Sequence, residues 1–321
     1  MWPGGLKRKT AGLNFMTSVA YEAPVRRALP QPQGAISYLE WGSEGPHKIP
    51  LHFAHANGFN GQTYSRILSG LSDRFHIRAW DARGHGATTL PADPAQHRNW
   101  YVYRDDLIAM IEPFVKATGR KVILAGHSMG GTASVMAAAA RPDLVRGLVL
   151  ADPVMFPSRA RYIRLLSQWL GLGDNPLALG AEKRRAVFAD REAAVSRYEG
   201  RGAFRTWPRG FIEDYIAGGT RIRDDGQVEL SCAPAWEAAN FRAQGHNIGR
   251  SVRVLHVPFA LLYAQHGTTC QPPFPALLKR RDPKAHLLQI KGATHFLPME
   301  FPAVVAQEIL AFTDRLEAEE R

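Results

Sequence analysis

Residues 121–131 read "KVILAGHSMGG", an apolar run of strand length that ends in glycine, histidine, serine, methionine and two more glycines. The Ala-rich stretch "TASVMAAAARP" (132–142) follows at once, so a buried strand must turn sharply into a helix. Gly126 and Gly130 flank Ser128 in the spacing G-x-S-x-G. A serine held on a strained strand-to-helix turn needs small neighbours on both sides. Such a turn lifts the hydroxyl above the sheet and aims the following amides, Met129 first, at any anion that forms there.

Outward from this turn, short apolar runs alternate with helical patterns over residues 34–157, the reading order of a parallel sheet with crossover helices. "AISYLEW" (35–41), "IPLHFAHA" (49–56), "FHIRAW" (75–80) and "VRGLVLADPV" (145–154) read as strands. "QTYSRILSGLSD" (62–73) and "YVYRDDLIAMIEPFVKATG" (101–119) read as helices, the second stopped by a glycine. Residues 158–250 change texture, with amphipathic helical stretches rich in Arg and aromatics and few strand-like runs. Strands resume at "VPFALLYAQ" (257–265) and "AHLLQIKG" (285–292), and the chain closes on the helix 302–320. The expected organisation is an N-terminal extension (1–30), an α/β core (31–157 and 251–321) and a helical cap (158–250).

Composition narrows the possibilities. The 321 residues are 45% hydrophobic and 21% charged, enough to bury a large core. The net charge of +11 is dispersed in short runs such as "EKRR" (182–185) and "KRR" (279–281), with no nucleic-acid recognition motif, so solvated helix faces are expected. Two cysteines, Cys232 and Cys270, do not make a disulfide framework, and a reducing cytoplasm is the default. Residues 1–24 lack the apolar region of a secretory signal, Met16 offers an alternative start, and no run is long enough to span a membrane.

Four segments together resemble the α/β-hydrolase superfamily, in its lidded, serine esterase-like form: "HFAHANGFN" (52–60), "WDARGHG" (80–86), "GHSMGG" (126–131) and "KGATHFLPMEFP" (291–302). The resemblance covers about residues 34–157 and 251–316. It implies a mostly parallel central sheet flanked by helices, with the cap inserted after the strand ending at Asp152. It further implies Ser128 as nucleophile, His295 as general base, and the Met129 and Asn57 amides as oxyanion hole, although Ala56 stands where the family commonly has glycine. By the same comparison His85 braces a turn, and Asp81 and Arg83 belong to that structural turn.

The acid is less plain. In most such proteins it follows the penultimate strand, yet "ALLYAQHGTTCQPP" (260–273) contains no carboxylate. Some members place it one strand after the nucleophile helix, where this chain has Asp152. Asp152 is therefore the expected partner of His295, with Asp282 and a missing acid as the alternatives. The implied activity is hydrolysis of a carboxylic ester with a hydrophobic acyl or alcohol part, through an acyl-enzyme. A ligand receptor on the same scaffold, or a lactone, thioester, amide or carbon–carbon hydrolase, stays open. Aromatics of the cap, Tyr162, Trp169, Phe188, Tyr198, Phe204, Trp207, Phe211, Tyr215 and Trp236, are read as cap core with some facing Ser128. Arg159, Arg161 and Arg164 are read as solvated. The expectation is of no cofactor and no metal, a small-molecule partner, no nucleic acid, and a monomer or dimer.

Overall fold

The computed structural model describes residues 22–42, 45, 47–157, 174–243 and 245–321. The strands are β1 (Val25–Gln31), β2 (Gly34–Trp41), β3 (Ile49–Ala54), β4 (Phe75–Trp80), β5 (Val122–His127), β6 (Val145–Ala151), β7 (Val187–Phe188), β8 (Thr220–Ile222), β9 (Val228–Leu230), β10 (Phe259–Ala264) and β11 (His286–Ile290). Eight of them form one sheet in the order β1-β2-β4-β3-β5-β6-β10-β11. The pairs from β4 to β11 are parallel, and the β1-β2-β4 edge is antiparallel. The sheet is flanked by α1 (Tyr101–Thr118), α2 (Met129–Ala140) and, at the end of the chain, by a long helix given below.

Every residue of β3 and β5 is buried, because a parallel sheet is covered on both faces and its central strands have no wet side. The pleat divides their side chains between two cores. Ile123 and Ala125 pack in the cluster that holds Ile309 and Phe312, while Val122 and Leu124 pack with Met110, Ile111 and Met136. Burying each large apolar side chain stabilises the fold by roughly 1.5–3 kcal/mol.

The segment between β6 and β10 carries α3 (Pro176–Glu182), α4 (Arg191–Tyr198), α5 (Arg209–Gly219), α6 (Pro234–Arg242) and α7 (Ile248–Arg253). It also contains a small antiparallel sheet, β7-β9-β8, in a segment expected to be mainly helical with few strand-like runs. These strands of two or three residues are too short to register as a period. The Asp225-Gly226 pair that turns β8 into β9, with Gly226 at φ 80, was the available signal. After β10 come α8 (Phe274–Arg281), α9 (Leu297–Glu300) and α10 (Pro302–Glu320), the last packed against the sheet.

Two further differences have local causes. The helix expected over 62–73 is broken into a single α-turn at Ser65–Leu68 between two 3₁₀ turns. Residues 25–30, read as part of an extension, form most of β1 and pair with β2 through a tight turn before Gly34. The strand "VRRALPQ" is largely exposed and contains Pro30, as edge strands do, so it lacks an alternating apolar signature. Tyr162, Trp169, Arg159, Arg161 and Arg164 lie outside the described residues.

Candidate active site

Parallel register brings the C-terminal ends of five strands to one edge. His127 is paired with Ala151, Ala151 with Leu262, and Ala264 with Ile290. The loops leaving that edge carry Ser128, Asp152, Thr268, Thr269 and His295, and the loop after β3 carries Asn57, all at the place where open α/β sheets bind ligands.

Ser128 sits at φ 55, ψ −119. A non-glycine residue held there costs on the order of 1–3 kcal/mol, which the surroundings must offset. They do so with bonds from the Ser128 amide to the Ala151 carbonyl (3.1 Å) and from the Thr132 amide to the Ser128 carbonyl (3.0 Å). The flanking glycines are a steric requirement. A Cβ on Gly126 would lie 2.7 Å from the Gly130 carbonyl carbon, and one on Gly130 would lie 2.1 Å from the Ala54 oxygen.

His295 Nε2 lies 2.9 Å from Ser128 Oγ, and His295 Nδ1 lies 2.6 Å from Asp152 Oδ2. With the Nδ1 proton donated to the carboxylate, Nε2 presents its lone pair to the serine hydroxyl. Asp152 is completely buried and has φ 42. Burial opposes its ionisation, but the hydrogen bond and charge of His295, with the Thr268 hydroxyl and the Ala264 amide, outweigh it and hold the carboxyl below its ordinary range. Asp282 instead follows the last turn of α8 and accepts from the Lys284 amide. The loop that lacks an acid thus contributes donors: Thr268 Oγ1 reaches Asp152 Oδ1 (2.5 Å), and the Thr269 amide reaches Oδ2 (3.0 Å).

Three buried histidines surround this relay. His127 Nε2 donates to the His295 carbonyl (2.8 Å), and its Nδ1 accepts from the Tyr64 hydroxyl (2.8 Å). Because the His295 carbonyl can only accept, the His127 proton sits on Nε2 and the Tyr64 hydroxyl donates to Nδ1, while the Tyr64 oxygen accepts from the Ala56 amide (3.3 Å). His85 accepts from the Gly58 amide at Nε2 (3.0 Å), and His55 Nε2 accepts from the Ala82 amide (2.8 Å). Desolvation lowers the pKa values of His127 and His85 to about 3 and of His55 to about 4, so all three are neutral at physiological pH. Asp81 accepts from Arg26, Gly61 and Ala87, and Arg83 forms a two-pronged pair with Asp106, so both are committed to the turn.

In the loop 55–58 the Ala56 and Gly58 amides are occupied, by Tyr64 and His85. The Asn57 and Met129 amides donate to no acceptor among the described residues. Asn57, Ser128 and His295 line a cavity of about 570 Å³, together with Phe59, Trp100, Phe156, Phe204, Phe241 and Phe296. Of the aromatics read from the sequence as cap and present in the described residues, Phe204 faces this cavity, as does Phe241, which that reading did not name. Phe188, Trp207, Phe211, Tyr215 and Trp236 are buried within the segment between β6 and β10, and Tyr198 is half-buried there. The polar part of the wall includes Arg184 and Glu237, paired at 2.7 Å.

Tyr64, Thr268, Thr269, Arg184 and Glu237 carried no local motif, since each meets its partner across a long stretch of chain. Cys232 and Cys270 are buried free thiols. Among the described residues, no group of three or more His, Cys, Asp or Glu is arranged to hold a metal ion, and no helix is long and apolar enough to cross a membrane.

A family model described as the alpha/beta hydrolase family matches residues 53–308. The chain is 25% identical over 262 residues to the 2-(acetamidomethylene)succinate hydrolase of Mesorhizobium japonicum, covering 82% of this chain and 87% of that protein. It is 26% identical over 309 residues to the (lyso)-N-acylphosphatidylethanolamine lipase of Homo sapiens, covering 88% and 85%. A crystal structure of E-2-(acetamidomethylene)succinate hydrolase superposes with a TM-score of 0.72 at 24% identity, covering 91% of this chain and 99% of the other. These relatives' names share hydrolysis and differ in what is hydrolysed.

Proposed function

The chain belongs to the alpha/beta hydrolase family, and from that premise we propose that it is a serine hydrolase cleaving a carboxylic ester with a hydrophobic acyl or alcohol part. Ser128 attacks the carbonyl carbon while His295 takes the hydroxyl proton, and Asp152 stabilises the imidazolium that forms. The Asn57 and Met129 amides receive the negative oxygen of the tetrahedral intermediate. His295 returns the proton to the leaving alcohol, then activates water to release the acyl group.

The observation that carries this reading is the Ser128–His295–Asp152 relay, with spacings of 2.9 and 2.6 Å, opening onto a mainly apolar cavity. An apolar cavity of this size suits an uncharged chain and gives a charged group few partners. A core of 31–157 and 251–321, extended at its start by β1 from Val25, with a cap of 158–250 goes with the same proposal, as does a reducing cytoplasmic setting for the two free thiols.

The test is labelling by a fluorophosphonate with mass mapping of the adduct, then turnover of p-nitrophenyl esters of increasing chain length. Expected are an adduct on Ser128, activity lost in Ser128→Ala, and a preference for medium over acetyl chains. An unlabelled folded protein, or activity that survives Ser128→Ala, overturns the proposal.

A further inference from the structure

We propose that Asn240, on cap helix α6, is a positioning residue for the oxyanion hole, acting through the side chain of Asn57; this rests on the serine-hydrolase reading above. Asn57 and Asn240 stand 183 residues apart, yet Asn240 Nδ2 lies 2.9 Å from Asn57 Oδ1. At its other end, Asn57 Nδ2 donates to the Glu237 carbonyl (3.1 Å). Both ends of the Asn57 side chain are therefore gripped by α6.

The directions of these bonds follow from one fixed point. The Glu237 main-chain carbonyl can only accept, so Asn57 must turn Nδ2 toward it and leave Oδ1 facing Asn240. Asn240 must then present Nδ2 to Asn57 and turn Oδ1 toward Tyr103, whose hydroxyl donates at 2.7 Å, with the His97 ring beside the same side chain. The Asn240 carbonyl accepts from Trp100 Nε1 (3.1 Å), which ties the same residue to the core a second time. Asn240 is completely buried, so no water competes for these groups.

Close packing leaves the loop little freedom to move along the helix. Gly58 has φ 76, and a Cβ there would lie 2.6 Å from Glu237 Oε1; a Cβ on Gly84 would lie 2.1 Å from Trp236 Nε1. The Trp236 indole donates to the Arg83 carbonyl (3.0 Å). The oxyanion loop thus lies clamped between α6 above and the turn 81–86 below, with its Asn57 amide left over for a ligand. An oxyanion donor works only when it is held where the charge will form, so a residue that fixes the loop acts on the transition state more than on the bound substrate.

The test is a double-substitution cycle on ester hydrolysis, read together with binding of an alkyl boronic acid, which forms a tetrahedral adduct on a serine. Asn57→Ala keeps the main-chain N–H, yet a fall in kcat of about 10- to 100-fold is expected with KM within about threefold. Asn240→Ala is expected to lose a similar factor, and the double variant no more than either single one, because both break the same link. Boronic acid affinity should fall by the same factor as kcat. Losses that multiply in the double variant, or boronic acid binding within threefold of the parent in every variant, overturn the role of Asn240. Should Asn240→Ala fail to fold, Tyr103→Phe and the near-isosteric Asn240→Asp, which cannot donate when ionised, carry the same cycle. Failure of the parent reading is separate: it appears as activity that survives Ser128→Ala, whatever the Asn240 variants do.

Discussion

The Thr268 hydroxyl donates to Asp152 Oδ1 at 2.5 Å, from a loop that follows a different strand from the one carrying the aspartate. The loop after β10 therefore holds the Asp152 carboxylate in place without containing a carboxylate of its own. A hydrogen bond to a charged, buried acceptor contributes about 1.5–3 kcal/mol. Replacing Thr268 with Val keeps the shape and removes the donor, so burial gains weight and the Asp152 pKa rises. A fall in kcat of about 10-fold is expected in a steady-state ester assay, and an unchanged kcat would show that Thr269 and the Ala264 amide suffice.

Asp152→Asn keeps the volume but turns an amide toward His295 Nδ1, which favours the tautomer with its proton on the nitrogen facing Ser128. In the proposed mechanism such a histidine cannot accept the serine proton. A loss of about 10³- to 10⁴-fold in kcat is expected, with substrate binding largely kept. Asp282→Asn is the control and is expected to turn over normally, since its carboxylate bonds the Lys284 amide beyond the end of α8.

The pH profile tests whether the buried histidines beside the site take protons during turnover. His127 has a pKa of about 3 and His55 of about 4, so neither gains a proton between pH 5 and 9. Asp152 is lowered by its contact with His295 and adds no second step in that range. The acid side of kcat/KM is expected to fall with a slope of one proton. Tyr64→Phe, which removes the donor to His127 Nδ1, should lower kcat by about 3- to 10-fold and leave that slope at one.

Stability in acid should depend on a site remote from the cavity. The hydrogen bond from His76, helped by Arg78, lowers the Glu40 pKa from its usual 4.5 to about 2. The folded protein thus holds fewer protons at Glu40 than the unfolded chain between pH 4.5 and 2. Its contribution is complete above about pH 4.5 and is lost as pH falls toward 2. Glu40→Gln should lower Tm at pH 6 and flatten its decline below pH 4.5, measured by calorimetry.

How much of this was legible in the sequence depended on range. The turn at Ser128 could be read because part of its sterics acts within five residues: a Cβ on Gly126 would lie 2.7 Å from the Gly130 carbonyl carbon. The central strands could be read because burial on both faces removes polar residues from them. Asp152 was named from a missing carboxylate some 110 residues away, and the loop's threonines went unnoticed because a hydroxyl donor leaves no pattern. Asn240 and Tyr64 were out of reach for the same reason, since the partners that define them are assembled by the fold. The β1 strand and the small sheet β7-β9-β8 were missed because an exposed edge and a three-residue strand carry almost no period.

The Arg184–Glu237 pair in the cavity wall gives a prediction in which stability and specificity part company. Arg184 bonds Glu237 Oε2 (2.7 Å) and the hydroxyls of Tyr198 (3.1 Å) and Tyr215, with its guanidinium 5.1 Å from the Tyr198 ring centre. Its charge is thus neutralised within the wall and is not free for a substrate anion. Arg184→Met removes the cation and leaves Glu237 buried without it, at a cost of about 3–5 kcal/mol. Arg184→Met with Glu237→Leu removes both charges, so most of that stability should return while the cavity becomes more apolar. If the pair serves only the wall, the double variant is expected to regain Tm and to favour longer acyl chains than the parent. If it binds the substrate directly, Tm would return but kcat/KM would fall for every chain length, and the ester panel distinguishes the two.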